Sequence, residues 1–112
     1  MAVYVSNIVI NSGTTFSETF TLESATTNSP FDLTGYSGAA QMRKHAGAST
    51  GHDFTVEFPE PVTTGQIILS MSATATSAIK AGRYVYDIVI TSGSTKQTVV
   101  EGNVLVREGV TR

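Results

Sequence analysis

The residues best suited to chemistry are two histidines and the acids beside them. His45 and His52 flank a Gly/Ala/Ser-rich stretch, with Asp53 and Glu57 just beyond. A metal centre needs more converging ligands than this stretch supplies, and two exposed loop histidines are the plainer reading. Ser49, His52 and Asp53 have the residue types of a hydrolytic triad, but adjacent side chains of a strand point to opposite faces, so His52 and Asp53 cannot align as base and orienting acid. Asp87 and Glu101 fall on neighbouring predicted strands. A paired-carboxylate hydrolase needs two acids on one cleft; here the acids read instead as partners for Arg43, Lys44 or Arg107. Asp87 stands inside Tyr84-Val85-Tyr86-Asp87-Ile88-Val89-Ile90, where a charge must be edge-facing or paired because burying it alone is costly. No phosphate loop, dinucleotide fingerprint or zinc signature is present. The expectation is no enzyme, with no catalytic residue, cofactor or metal.

The rest of the composition excludes more. The 112 residues suit one domain, large enough to fold without staples. Cysteine is absent, which removes disulfides and thiolate chemistry. A net charge of −2 with seven scattered Lys and Arg offers no basic stripe for nucleic acid. No apolar run approaches the ~20 residues of a membrane span, so no membrane partner is expected. The first ten residues, MAVYVSNIVI, lack the basic and long apolar regions of a signal peptide. Ser and Thr together number 29, a bias that suits pleated, half-exposed surfaces because Thr is branched at Cβ.

The elements that position these residues read as strands separated by turn signals. Residues 2–11 end at Asn11-Ser12-Gly13. In 14–22, Phe16, Phe20 and Leu22 share a face that Glu18 interrupts, as near an edge. Residues 23–30 read as loop. Phe31-Asp32-Leu33-Thr34-Gly35-Tyr36 reads as a turn in which Asp32 accepts backbone amides and Gly35 supplies a positive φ. A third strand covers 36–44, and 45–51 form a hairpin tip. Phe54, Val56 and Phe58 mark a fourth strand, stopped by Pro59 and Pro61; 66–72 make a fifth, with Ile67, Leu69 and Met71 inward. Residues 74–80 read as a single helical turn closed by Gly82. The run 83–91 is the strongest strand and reads as central. In the last strand, 95–107, Gly102 breaks the alternation and suggests a bulge.

The segment Gly82-Arg83-Tyr84-Val85-Tyr86, after a short turn, resembles the tyrosine corner of immunoglobulin-like domains, in which the tyrosine hydroxyl bonds to backbone just upstream. Tyr84 takes that role, and Tyr86 stands where an antibody domain has its second cysteine. The predicted fold is all-β: an immunoglobulin-like sandwich of about seven antiparallel strands with one helical turn, a simple barrel staying open.

Several strings occur in a telling order: Asp32-Leu33-Thr34-Gly35-Tyr36, Gln41-Met42-Arg43-Lys44, Gly65-Gln66-Ile67-Ile68-Leu69-Ser70, Ala81-Gly82-Arg83-Tyr84-Val85-Tyr86-Asp87-Ile88, Glu101-Gly102-Asn103-Val104 and Val110-Thr111-Arg112. This order resembles small β-sandwich virion structural proteins of tailed bacteriophages, and is similar to the N-terminal sandwich of upper-baseplate and tail-fibre-associated proteins. The resemblance implies a place in the virion, assembly in the host cytoplasm and docking onto other virion proteins, with no catalytic residues to carry over. The chain ends directly after the last predicted strand, which favours an adaptor, cement or decoration role over direct host binding.

Docking to other virion proteins, or to further copies of the chain as a homo-oligomer, is expected to use the first strand (Val3, Tyr4, Val5) and the mobile tip bearing His45 and His52. That strand reads more readily still as half of a buried sheet. A carbohydrate- or receptor-binding module is the rival reading, with a host glycan as partner. With no Trp, only Tyr4 and Phe31 look available to stack on a sugar.

Overall fold

The computed structural model describes residues 4–23, 31–49 and 51–108. It is all-β apart from two short turns of helix. In chain order the elements are β1 Tyr4–Val5, β2 Ile8–Asn11, β3 Phe16–Thr21, β4 Ser37–Arg43, β5 His52–Glu57, a 3-10 turn Val62–Thr64, β6 Gln66–Met71, α1 Ala73–Ser77, β7 Gly82–Ser92 and β8 Thr95–Arg107. No helix among the described residues is long and apolar enough to cross a membrane.

Alternation builds the strands. Along β6, Ile67, Leu69 and Met71 are buried while Gln66, Ile68 and Ser70 stay half-exposed. Along β7, Tyr84, Tyr86, Ile88 and Ile90 point inward. The period-two pattern puts one side of each strand into a common core, which also takes Leu22, Leu33, Met42 and Ile79 from outside or beside those strands.

The strands follow one another laterally as β1-β8-β7-β4-β5-β6-β3, with β2 also paired to β8. β7 is central, flanked by β8 and β4. β5 serves two neighbours in turn: His52–Phe54 pair with β4, and Thr55–Glu57 pair with β6. The sheet therefore bends at Phe54–Thr55, and the β3–β6 pair is carried round toward the β1/β2 edge. The outcome is a nearly closed mixed sheet.

Three expectations need correction. The strands are not all antiparallel, because β1 and β2 run parallel to β8, from Tyr4 opposite Val100 to Asn11 opposite Arg107. Parallel pairing of two chain-distant segments has no turn between them to announce it. The helical turn spans Ala73–Ser77 in place of 74–80. It starts where the Ser72 hydroxyl accepts the Ala75 N–H at 3.2 Å, an N-cap. The bulge lies away from Gly102: Ile88 faces Val100 while Val89 faces Thr98, so Val99 is the extra residue. Two consecutive buried valines, Val99 and Val100, result, because the insertion reverses the in–out phase of the strand.

Candidate functional site: the outer face of the N-terminal strand

The first strand is held to β8 by an exchange of partners. Ser6 donates its N–H to the Glu101 carbonyl at 2.9 Å. The Ser6 carbonyl then accepts the Tyr86 hydroxyl at 2.6 Å, and the Asn103 N–H is taken by the Asn7 side-chain oxygen at 3.0 Å. Two side chains thus stand in for one ladder bond, keeping strong backbone groups satisfied where the strand is interrupted. Gly102 makes this approach possible: a Cβ there would lie 2.1 Å from the Ser6 oxygen. Burial pushes the Tyr86 hydroxyl pKa upward, and the charge of Glu18 adds to the effect.

At the crossover into β7, the Tyr84 hydroxyl donates to the Lys80 carbonyl at 2.6 Å. Gly82 has a φ of +148°, a conformation that suits glycine. In the turn before β4, Asp32 Oδ1 accepts the Thr34 N–H at 2.9 Å and the Thr34 hydroxyl at 2.6 Å. Those two bonds lower the Asp32 pKa, the side-chain bond most. Gly35 takes a φ of +81°, and Leu33 is buried as the anchor.

The residues singled out for docking part company. Val5 and His45 line one groove, together with Gln41, Arg43, Val85, Asp87, Glu101 and Asn103. β1, β8, β7 and β4 make its floor and the 45–46 loop one wall. Tyr4 pairs with Val100 through its backbone, and Val3 lies outside the described residues. His52, expected as an exposed loop histidine, is instead the first residue of β5 and half-buried, because pairing with Met42 carries it into the sheet. Its ring is edge-on to Tyr84 at 6.2 Å between centroids. Its neighbour Asp53 accepts the Gln41 side-chain amide at 2.6 Å. His52 and Asp53 thus have separate partners, as opposite faces of a strand require.

Across the groove floor, register sets Val5, Glu101, Asp87 and Gln41 side by side on successive strands. Asp87 is exposed and directly opposite Glu101, an arrangement of like charges that costs some pairing stability. Arg43, one of its expected partners, is turned to the Ala48 carbonyl and the Gln41 side-chain oxygen, both at 2.8 Å. Among the described residues no group of three or more His, Asp or Glu is placed to hold a metal ion. Beside the groove, Val9 and Leu105 are register partners. Val5, Val9 and Leu105 are exposed by 74%, 51% and 41%, the exposed large hydrophobic side chains among the described residues.

Sequence reasoning missed Ser6, Asn7 and Thr76. Thr76 is fully buried; its hydroxyl accepts the Gly13 N–H at 3.1 Å and donates to the Thr14 carbonyl at 2.7 Å, pinning the β2–β3 turn to α1. Nothing in a Thr-rich sequence marks that one threonine.

The sequence matches no protein-family model and no curated protein. Likeness appears among solved structures. The N-terminal domain of phage TP901-1 ORF48 is similar over 91% of this chain and 85% of that chain, with a TM-score of 0.56 and 9% identity. InlP of Listeria monocytogenes gives 0.48 with 13% identity, over 91% of this chain and 26% of that one. A family 123 glycoside hydrolase from Clostridium perfringens gives 0.41 with 10% identity, over all of this chain and 24% of that one. The chain therefore spans about a quarter of InlP and of the hydrolase. At such identities the likeness is one of fold, and the phage domain is a neighbour of matching size.

Proposed function

We propose that this chain is a non-enzymatic structural protein of a tailed-phage virion, an adaptor of the tail, baseplate or fibre region, docking through its N-terminal edge. The observation that carries the docking is the gathering of Val5, Val9 and Leu105 on β1, β2 and the β8 strand that both pair with. Exposed apolar side chains gathered at a sheet edge mark contact surfaces more than scattered ones do. β1 and β2 add to this: Tyr4-Val5 and Ile8-Val9-Ile10-Asn11 contain no charge and no proline, the usual guards of a free edge. The phage assignment draws on the ordered strings from Asp32 to Val104 and on the fold likeness to the phage TP901-1 ORF48 domain. Cement or decoration of a capsid is the same chemistry at another place in the particle.

The test is sedimentation velocity on the purified chain over a hundredfold concentration range, run beside a glycan array. Concentration-dependent association that Val5→Asp with Val9→Asp abolishes, and an array without hits, support the reading. A chain that stays monomeric and binds a defined glycan overturns it.

A further inference from the structure

Three of the seven Lys and Arg residues of this net-negative chain meet at one place. Arg43 and Lys44 at the end of β4, and Lys80 just before β7, line a second pocket with His52, Ala81 and Tyr84. It holds about 320 Å³, room for several molecules at the ~30 Å³ that a water occupies in the liquid. No Asp or Glu lines it. Three cations and a histidine line it, a concentration of positive charge that attracts an anion.

The pocket is also built to hold its shape. Lys44 Nζ sits 4.8 Å from the centroid of the Tyr84 ring, a cation–π seat that leaves the ammonium N–H groups free to donate. The Tyr84 ring is fixed in turn by its hydroxyl bond to the Lys80 carbonyl, so one tyrosine ties the backbone of Lys80 to the ammonium of Lys44. Gly82 keeps the seat open, since a Cβ there would lie 2.8 Å from Lys44 Nζ. Arg43 is steadied by Ala48 and Gln41, two acceptors that do not exhaust a guanidinium's donors. The side chain of Lys80 is exposed at the pocket's rim.

We infer that this end pocket is a binding site for a small oxyanion, a phosphate, sulfate or carboxylate group. It shares Arg43 with the groove beside Val5 and assigns a use to Lys44 and Lys80, which the docking edge leaves out. Guanidinium with ammonium groups suits oxyanions generally.

The experiment is an NMR titration of the full-length, isotope-labelled chain with sodium phosphate at pH 7, ionic strength being held constant with sodium chloride. Saturable shifts confined to the amides of Lys44, His52 and residues 80–84, with a dissociation constant on the order of millimolar, are expected. Parallel titrations with sulfate and acetate distinguish a tetrahedral from a planar oxyanion. Lys44→Ala with Lys80→Ala should weaken binding about fivefold or more, while Lys96→Ala, outside the pocket, leaves it unchanged. Lys80→Ala alone keeps the backbone carbonyl used by Tyr84 and serves if the double variant folds poorly. Shifts that fail to saturate, that sodium chloride alone reproduces, or that survive removal of both lysines overturn the inference.

Discussion

Tyr86 carries two duties, filling the core with its ring and closing the ladder at Ser6 with its hydroxyl. Tyr86→Phe keeps the ring and leaves the Ser6 carbonyl without that donor, which should cost about 1 kcal/mol in urea unfolding. Its pKa makes the same bond sensitive to alkali. The folded-state value is raised above the ordinary 10.0, so the folded state keeps its proton where the unfolded chain begins to lose one. Stability from this group is whole below that value and is lost as pH rises through the folded one. Unfolding in urea followed from pH 8 to 11 should show that loss in the wild type, and Tyr86→Phe should flatten it. Gly102→Ala tests the other side of the contact. A methyl group placed against a backbone oxygen cannot be absorbed by a rotamer change, so a loss of about 1–3 kcal/mol is expected, with accelerated amide exchange at Ser6. An unaltered exchange rate there would show that Gly102 does not govern the docking of the first strand.

Among the elements, the shortest has the most concentrated role. α1 is five residues long, too short to be stable by itself, and Thr76 binds it to the β2–β3 turn. Thr76→Val preserves shape but deprives the Gly13 N–H and Thr14 carbonyl of their partner, and should cost about 1–3 kcal/mol in thermal or urea unfolding. How far elements were readable depended on whether the governing contact was local. β6 and β7 announce themselves by alternation at Ile67, Leu69, Met71 and at Tyr84, Tyr86, Ile88, and the Asp32–Gly35 turn by its residue types. The division of β5 between two neighbours leaves no trace in His52–Glu57, since each half alternates as any strand does. The parallel seat of β1 and β2 was hidden because its partners are some 96 positions away, as Tyr4 to Val100 shows. Of the candidate contact residues, Val5 was readable from an apolar strand near an end. Its meeting with His45 in one groove was not, because only the order of β1, β8, β7 and β4 brings them together.

For the molecule as a whole, the parallel seating of β2 on β8 decides how the protein meets a pull. Two parallel neighbours drawn apart from the start of one and the finish of the other slide along each other, so the bonds between Ile8–Asn11 and Val104–Arg107 share the load together. An antiparallel hairpin such as β7–β8, pulled from its open end, would give way one bond at a time. Resistance of this kind is set by the unfolding rate and not by equilibrium stability. Single-molecule stretching from the two termini should therefore show a high first rupture force, and Gly102→Ala should lower it by more than its effect on urea unfolding suggests. A first rupture no stronger than that of a hairpin would mean the N-terminal strand slips before it bears load. The exchange at Ser6, Tyr86 and Asn103 thus acts as a latch under tension, fastening the first strand of the chain to the last.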